Sequence, residues 1–171
     1  VDEKIAIKVW TEIVEGFTGY GFNASHATVY SFLGFSTAYL KAHFPLEFLT
    51  ANLIAEVNSN TKDAPDNALK IKQEIRALRV NITPPNINTS DKSYTILSDS
   101  QILSGLDGIK FLGKNAIPEI VSKRPFTSLQ QFLISVEGRK VTSGAIQGLA
   151  ASGALDSFGM TRKQMFLYGG D

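Results

Sequence analysis

The sequence is poor in several residue types that carry chemistry. It has no cysteine, one tryptophan, two histidines and two methionines among 171 residues. Disulfides and thiolate zinc sites are therefore excluded, and two histidines leave little with which to assemble a Ser/His/Asp set or a histidine-rich metal site. The lack of cysteine is compatible with a reducing compartment, and we expect a cytoplasmic protein.

Long apolar runs are missing as well. No stretch of about 18 uninterrupted apolar residues is present to span a bilayer. The start, Val1-Asp2-Glu3-Lys4, leads into an amphipathic stretch and not into the apolar block of a signal peptide. We expect neither a membrane span nor a signal peptide. Because Val1 stands where an initiator methionine would, we also expect a piece of a longer protein.

The charge is small overall but unevenly distributed. Residues 1–69 carry four basic against eight acidic side chains, a net charge of −4, whereas residues 70–171 carry thirteen against eight, a net charge of +5. The second part is the better candidate for contact with a polyanion. A solvated surface of mixed charge explains so small an excess equally well.

Apolar spacing predicts a mainly α-helical fold. Ile5, Val9 and Ile13 lie four residues apart and predict a helix over 4–15 that ends near Gly16. The next predicted helix, 25–43, is apolar nearly all round, which predicts burial on several sides. Further helices are predicted over 46–57, 66–78, 115–123, 128–136, 142–152 and 161–167.

One segment breaks the helical pattern. Pro84-Pro85 excludes a helix, and the β-prone runs 94–97 and 101–103 predict a small antiparallel hairpin. We therefore predict a helical first domain over 1–80, an extended connector with the β-hairpin over 81–104, and a third domain of short helices over 105–171.

The start of the second helix is a candidate nucleotide site. Two glycines precede it, Asn23 or Ser25 can accept hydrogen bonds from its free N–H groups, and His26 can face an anion. The alternative is a capped helix whose imidazole is partly buried and satisfied. Tyr20 and Phe22 are candidates for base stacking, although the other aromatic residues fit a helical core better.

Residues 109–117 resemble the hairpin and second-helix start of a helix-hairpin-helix unit. Such a turn presents backbone N–H groups to phosphates, and lysines add Coulomb attraction. The DNA-backbone candidates here are Lys110, Gly113, Lys114 and Asn115. Electrostatic support is expected from four further residues, Lys123, Arg124, Arg139 and Lys140.

Several blocks in collinear order also resemble one family, the alpha subunits of bacterial replicative DNA polymerase III, which are C-family DNA polymerases. These blocks cover nearly the whole chain: Gly19-Tyr20-Gly21-Phe22-Asn23-Ala24-Ser25-His26-Ala27, then Tyr39 to Phe48, Leu78 to Asn88, Leu106 to Gly113, and Ser152 to Asp156. The resemblance implies a fingers subdomain followed by a helix-hairpin-helix domain. It also implies that Asn23, Ser25 and His26 lie beside the incoming deoxynucleoside triphosphate and that the hairpins grip the primer-template.

The same resemblance implies how this segment takes part in DNA replication. In the resembled nucleotidyltransferases the palm, with its metal-binding aspartates and Mg²⁺, lies upstream of the fingers, and replisome proteins are partners. The acidic pairs within this chain, Glu12 with Glu15 and Asp63 with Asp66, are better explained as solvated surface. We therefore expect no catalytic or metal-binding residue here and no activity from the segment alone. The alternative is a noncatalytic DNA-binding or scaffolding module.

Two positions depart from the family pattern. Ala24 stands where a lysine or arginine is common, which removes a positive charge from the nucleotide site. Phe111 stands where the hairpin usually has its first glycine, which lowers the expected DNA affinity of this turn. The alternative interpretation of Phe111 is a hydrophobic plug that packs the two hairpins together.

Overall fold

The computed structural model describes residues 2–18 and 24–168 and divides the chain into two compact units, Val1–Phe44 and Pro45–Asp171. This division by packing differs from the predicted division at residues 80 and 105. The predicted one concerns functional domains and stays a prediction.

The first unit is helical. It contains α1 (Glu3–Val9), a π-helical turn (Trp10–Val14), α2 (Glu15–Thr18) and α3 (Ala24–His43). Asp2 caps α1, since its carboxylate accepts a hydrogen bond from the Lys4 backbone N–H at 3.0 Å. Both predicted helices are confirmed, although the first continues past Gly16 to Thr18.

The predicted burial of α3 is wrong in this structure. None of its side chains is buried, and Phe32, near its middle, is 73% exposed. A helix that is apolar all round is buried only when other elements cover several of its sides. The described residues of this unit do not provide that cover.

The second unit begins with two helices and a small sheet. Helix α4 (Pro45–Val57) and helix α5 (Ala64–Ala77) are followed by β1 (Asn81–Thr83), β2 (Thr95–Ser98) and β3 (Gln101–Leu103). Strands β2 and β3 form the predicted antiparallel hairpin, with Ile96 opposite Ile102 and a bulge before Ser98. Strand β1 was not predicted, and it pairs in parallel with β3 to give the order β1-β3-β2.

The rest of the second unit consists of short helices. These are α6 (Ala116–Ser122), α7 (Leu129–Ser135), α8 (Ser143–Ser152), a 3₁₀ turn (Asp156–Phe158) and α9 (Arg162–Tyr168). Ser128 caps α7 and Thr142 caps α8 through hydroxyl oxygens that accept backbone N–H groups. Gly153 ends α8 in the left-handed region at φ 88°, which is common for a glycine at a helix C-terminus.

Two apolar clusters hold the second unit together. The first joins α4 and α5 to the sheet around Leu53, Ile75 and Ile102, each fully buried. The second and larger cluster joins the segment around Ile87 to the short helices and includes the fully buried Phe132. These clusters confirm the mainly α-helical class with a small β-hairpin. Among the described helices, none combines the length and the apolar character that a membrane span needs.

Candidate nucleic-acid interface

The predicted hairpin turn, residues 109–115, contains both buried and exposed residues. Ile109 and Leu112 are buried in the larger cluster. The Ile109 N–H donates to the Leu106 carbonyl at 3.1 Å, and the Leu112 N–H donates to the Ile109 carbonyl at 3.2 Å, so the turn has a defined backbone. Five other residues of the turn are exposed: Lys110, Phe111, Gly113, Lys114 and Asn115.

All four primary DNA-backbone candidates are therefore exposed together on one turn. Asn115 precedes α6, yet its side chain makes no capping hydrogen bond to that helix. Gly113 has open space where a Cβ would stand. The turn thus presents two ammonium groups, an amide and an unobstructed glycine within six consecutive residues, which is a suitable donor set for phosphates.

Helix α8 supports this turn through a close backbone approach. A Cβ added at Gly148 would overlap the carbonyl oxygen of Lys110 and would lie 3.2 Å from Cγ2 of Ile109. Only glycine permits this distance between a helix and the turn. Gly148 was not predicted from the sequence, although a glycine inside a helical pattern is the signal that points to such a contact.

Phe111 is not buried as a hydrophobic plug would be, although its Cβ lies 3.7 Å from the place that a Cβ at Gly144 of α8 would take. Its side chain is 66% exposed, and its backbone lies in the left-handed region at φ 67°. The Lys110 Nζ atom lies 5.0 Å from the centroid of the ring. The left-handed backbone accounts for the glycine that the resemblance leads one to expect at this position.

Lys123 and Lys140 belong to an ion-pair cluster around Glu119. The Lys123 Nζ lies 2.6 Å from Glu119 Oε1, and the Lys140 Nζ lies 3.1 Å from Oε2. The Glu137 N–H also donates to Oε1, at 3.1 Å. Hydrogen bonds from Lys123 and then Lys140 lower the pKa of Glu119 to about 2. Hydrogen bonds to Glu137 and Glu119 in turn raise the pKa of Lys140.

Glu119 gives these two lysines a structural role. Its side chain is only 9% exposed, and it ties α6 to the loop between α7 and α8. Glu119 was not predicted from the sequence, although the four-residue spacing from Glu119 to Lys123 is typical of a helical ion pair. Arg139, in the same loop, is exposed.

Arg124 also has structural partners. Its Nε donates to the Ile87 carbonyl and its Nη2 donates to the Ser90 carbonyl, each at 2.6 Å. Burial lowers the pKa of the guanidinium. Arg124 therefore anchors the segment around residues 87–90 to the chain after α6.

The nucleotide-side candidates lie in the first unit. Asn23 lies outside the described residues. Ser25 is exposed in the first turn of α3, and His26 is half-buried with its ring centroid 4.4 Å from that of Tyr30. His43 at the other end of α3 has the same kind of neighbour, since its centroid lies 4.2 Å from that of Tyr39. The two imidazoles are about 26 Å apart along the helix axis.

Acidic side chains do not converge in the described part of the chain. Within residues 2–18 and 24–168, no three His, Asp or Glu side chains are placed to hold a metal ion together. All four side chains of the pairs Glu12 with Glu15 and Asp63 with Asp66 are exposed, as expected for solvated surface, although Asp66 lies in the first turn of α5.

The short helices, the small sheet and the exposed turn 109–115 define a mainly α-helical protein with a helix-hairpin-helix region. Residues 79–165, just over half of the chain, match the helix-hairpin-helix motif family. Nearly the whole chain is also similar to DNA polymerase III subunit alpha from several bacteria. Identity is 35% with the protein of Borreliella burgdorferi over 96% of this chain, 33% with that of Pseudomonas fluorescens over 93%, and 38% with that of Thermus aquaticus over 86%.

The chain belongs to the DNA polymerase III alpha subunit family. It spans 12–14% of the length of these three relatives. The predicted resemblance is therefore confirmed, and the match covers one segment of much longer proteins.

Proposed function

We propose that this chain is a segment of a DNA-directed DNA polymerase that contacts the primer-template and the incoming deoxynucleoside triphosphate, while the catalytic palm and its Mg²⁺ lie elsewhere in the parent protein. Other parts of the polymerase and replisome proteins are its protein partners. No catalytic residue is assigned to the chain itself. The names of the relatives and the helix-hairpin-helix match support this assignment.

The main support for the proposal is the exposed, basic turn 109–115, which two buried side chains attach to the core. Lys110, Gly113, Lys114 and Asn115 share one exposed turn, whereas Ile109 and Leu112 hold that turn in the core. Contacts from such a turn reach phosphates and carry no base information, which suits an enzyme that must hold any sequence. Lys123, Arg124 and Lys140 contribute secondarily, because internal partners already engage them.

Binding of a primed DNA duplex across a salt series tests the DNA contact. The variant Lys110→Ala/Lys114→Ala is expected to bind about tenfold more weakly and to lose about 2 from the slope of log affinity against log salt, since each phosphate contact contributes about 0.9. Lys62→Ala/Lys163→Ala removes the same charge from exposed positions and is the matched control. Equal losses in both variants would reduce the effect to net charge and contradict the proposed site.

The proposed nucleotide contact is tested by comparing two histidine variants of α3. Titration with a fluorescent deoxynucleoside triphosphate analogue is expected to give weaker binding for His26→Ala, by about tenfold or more, the weight of one charged-group hydrogen bond. His43→Ala is the matched control, since both histidines make a tilted ring contact with a tyrosine four residues away in the same helix. The same loss in both variants would contradict a site at the start of α3.

A further inference from the structure

Phe111 occupies a position that offers an aromatic side chain little stability. It is 66% exposed while its neighbours Ile109 and Leu112 are buried. Its φ of 67° lies in the left-handed region, which is unfavourable for a bulky residue and favourable for glycine. Neither burial nor backbone preference explains a phenylalanine here. An outlier of this kind is a reason to look for a function.

The surroundings of Phe111 indicate what its ring contacts. Lys110 places its Nζ 5.0 Å from the ring centroid, and Lys114 is exposed three residues further along the turn. A strand whose phosphates meet these two ammonium groups brings its sugars and bases beside the ring. Every base has a π-face, so stacking on an aromatic side chain is independent of sequence.

We propose that Phe111 stacks on an unpaired base of the DNA strand whose phosphates Lys110 and Lys114 contact. This inference rests on the proposed function of the turn. The base must be unpaired because a duplex covers the faces of its bases by stacking and presents only their edges in the grooves. The ligand is thus single-stranded DNA next to a duplex, such as the overhang of a primed template.

Three substitutions separate stacking from other effects. Phe111→Leu keeps an apolar side chain without a π-face, Phe111→Trp keeps the π-face, and Phe111→Gly removes the side chain where the backbone favours glycine. Because glycine suits φ 67°, Phe111→Gly is expected to melt no lower than the original chain. Phe166→Leu, on α9, is the control for loss of another exposed phenylalanine.

Binding of the 171-residue chain is measured with a primed template that carries an overhang and with a blunt duplex of the same length. For the overhang, Phe111→Leu and Phe111→Gly are expected to weaken binding roughly 5- to 150-fold, the range for loss of one base stack. Phe111→Trp and Phe166→Leu are expected to bind as the original chain does. All variants are expected to bind the blunt duplex equally. A 2-aminopurine in the overhang should be quenched by the original chain and not by Phe111→Leu.

Unchanged binding of the overhang by Phe111→Leu, or an equal loss on the blunt duplex, would overturn the stacking inference. In that case a reduced salt slope in Lys110→Ala/Lys114→Ala would still support the phosphate contact. Loss of overhang binding in the Phe111 variants with a normal salt slope in the lysine variant would support stacking and contradict the lysine contacts. Failure of the original chain to bind either DNA would overturn both.

Discussion

The two compact units are both rich in helix, yet only one of them buries its apolar side chains. Residues 45–171 enclose two apolar clusters, whereas none of the described side chains in residues 2–44 is buried. Both units contain helices that the spacing of apolar residues predicts. Burial depends on a second surface, and the second unit supplies one through the helix pair α4 and α5, the sheet and the crossing short helices. Helix content therefore says little about how firmly a region of this chain is held.

Two phenylalanines give the strongest test of this contrast. Phe132 is fully buried with an edge-to-face contact to Phe126 at 5.1 Å, whereas Phe32 is 73% exposed in α3. Phe132→Ala is expected to lower the free energy of unfolding by about 3–5 kcal/mol. Phe32→Ala is expected to change it by less than about 0.5 kcal/mol.

Urea unfolding followed by far-ultraviolet circular dichroism measures both variants. Tryptophan fluorescence is unsuitable for the second unit, because Trp10 is the single tryptophan and lies in the first. If the two substitutions cost the same, the contrast between the units does not hold.

Alanine substitutions at two helical glycines are expected to change stability in opposite directions. A methyl group at Gly148 would meet the backbone of Lys110, so Gly148→Ala is expected to destabilise the second unit by about 1–3 kcal/mol. Gly34 in α3 has open space around it, and Gly34→Ala is expected to stabilise the helix by about 0.5–1 kcal/mol. Thermal melts of the two variants measure the difference. A stabilised Gly148→Ala variant would show that the turn is not packed closely on α8.

The smallest expected effect concerns the pH dependence of the second unit. The pKa of Glu119 is about 2 in the folded chain against an ordinary value of 4.5. A lowered pKa stabilises the folded state above pH 4.5, and this contribution is lost as the pH falls from 4.5 towards 2. Glu119→Gln should therefore be less stable at neutral pH and should lose less stability on acidification through this window.

Urea midpoints measured at a series of pH values compare this variant with Glu137→Gln. Glu137 pairs with Lys140 at 2.8 Å but is 49% exposed, so it serves as the solvated control from the same cluster. The same flattening of the pH profile in both variants would contradict a special role for Glu119.

The sequence predicted the local helices and the hairpin better than it predicted long-range strand pairing and burial. The β2–β3 hairpin and every described α-helix of the second unit were predicted within a few residues, because spacing, caps and prolines act locally. Strand β1 was missed, since three residues that pair in parallel with a distant strand have no local pattern. The burial of α3 was predicted wrongly for a related reason, because periodicity describes a face and not what covers it.

The residues of the candidate site also differ in how far the sequence could predict them. The exposed turn with Lys110, Gly113, Lys114 and Asn115 could be found from a motif in consecutive residues. The internal partners of Arg124 and Lys140 could not, because Arg124 meets residues 34 and 37 positions away and Lys140 meets Glu119 across 21 positions. Basic residues in sequence do not reveal which of them the fold has already paired.

By itself the sequence determined the family, the helical character, the β2–β3 hairpin and the basic turn, all of which depend on residues close together in the chain. The tertiary structure decided which apolar faces are buried, which cations are engaged inside the protein, and that the Phe111 ring is exposed on a left-handed backbone. The physical reason is the separation along the chain over which each kind of interaction acts. Dihedral preferences and spacing act over a few residues, whereas burial, ion pairing and the close approach at Gly148 depend on segments that meet only after folding.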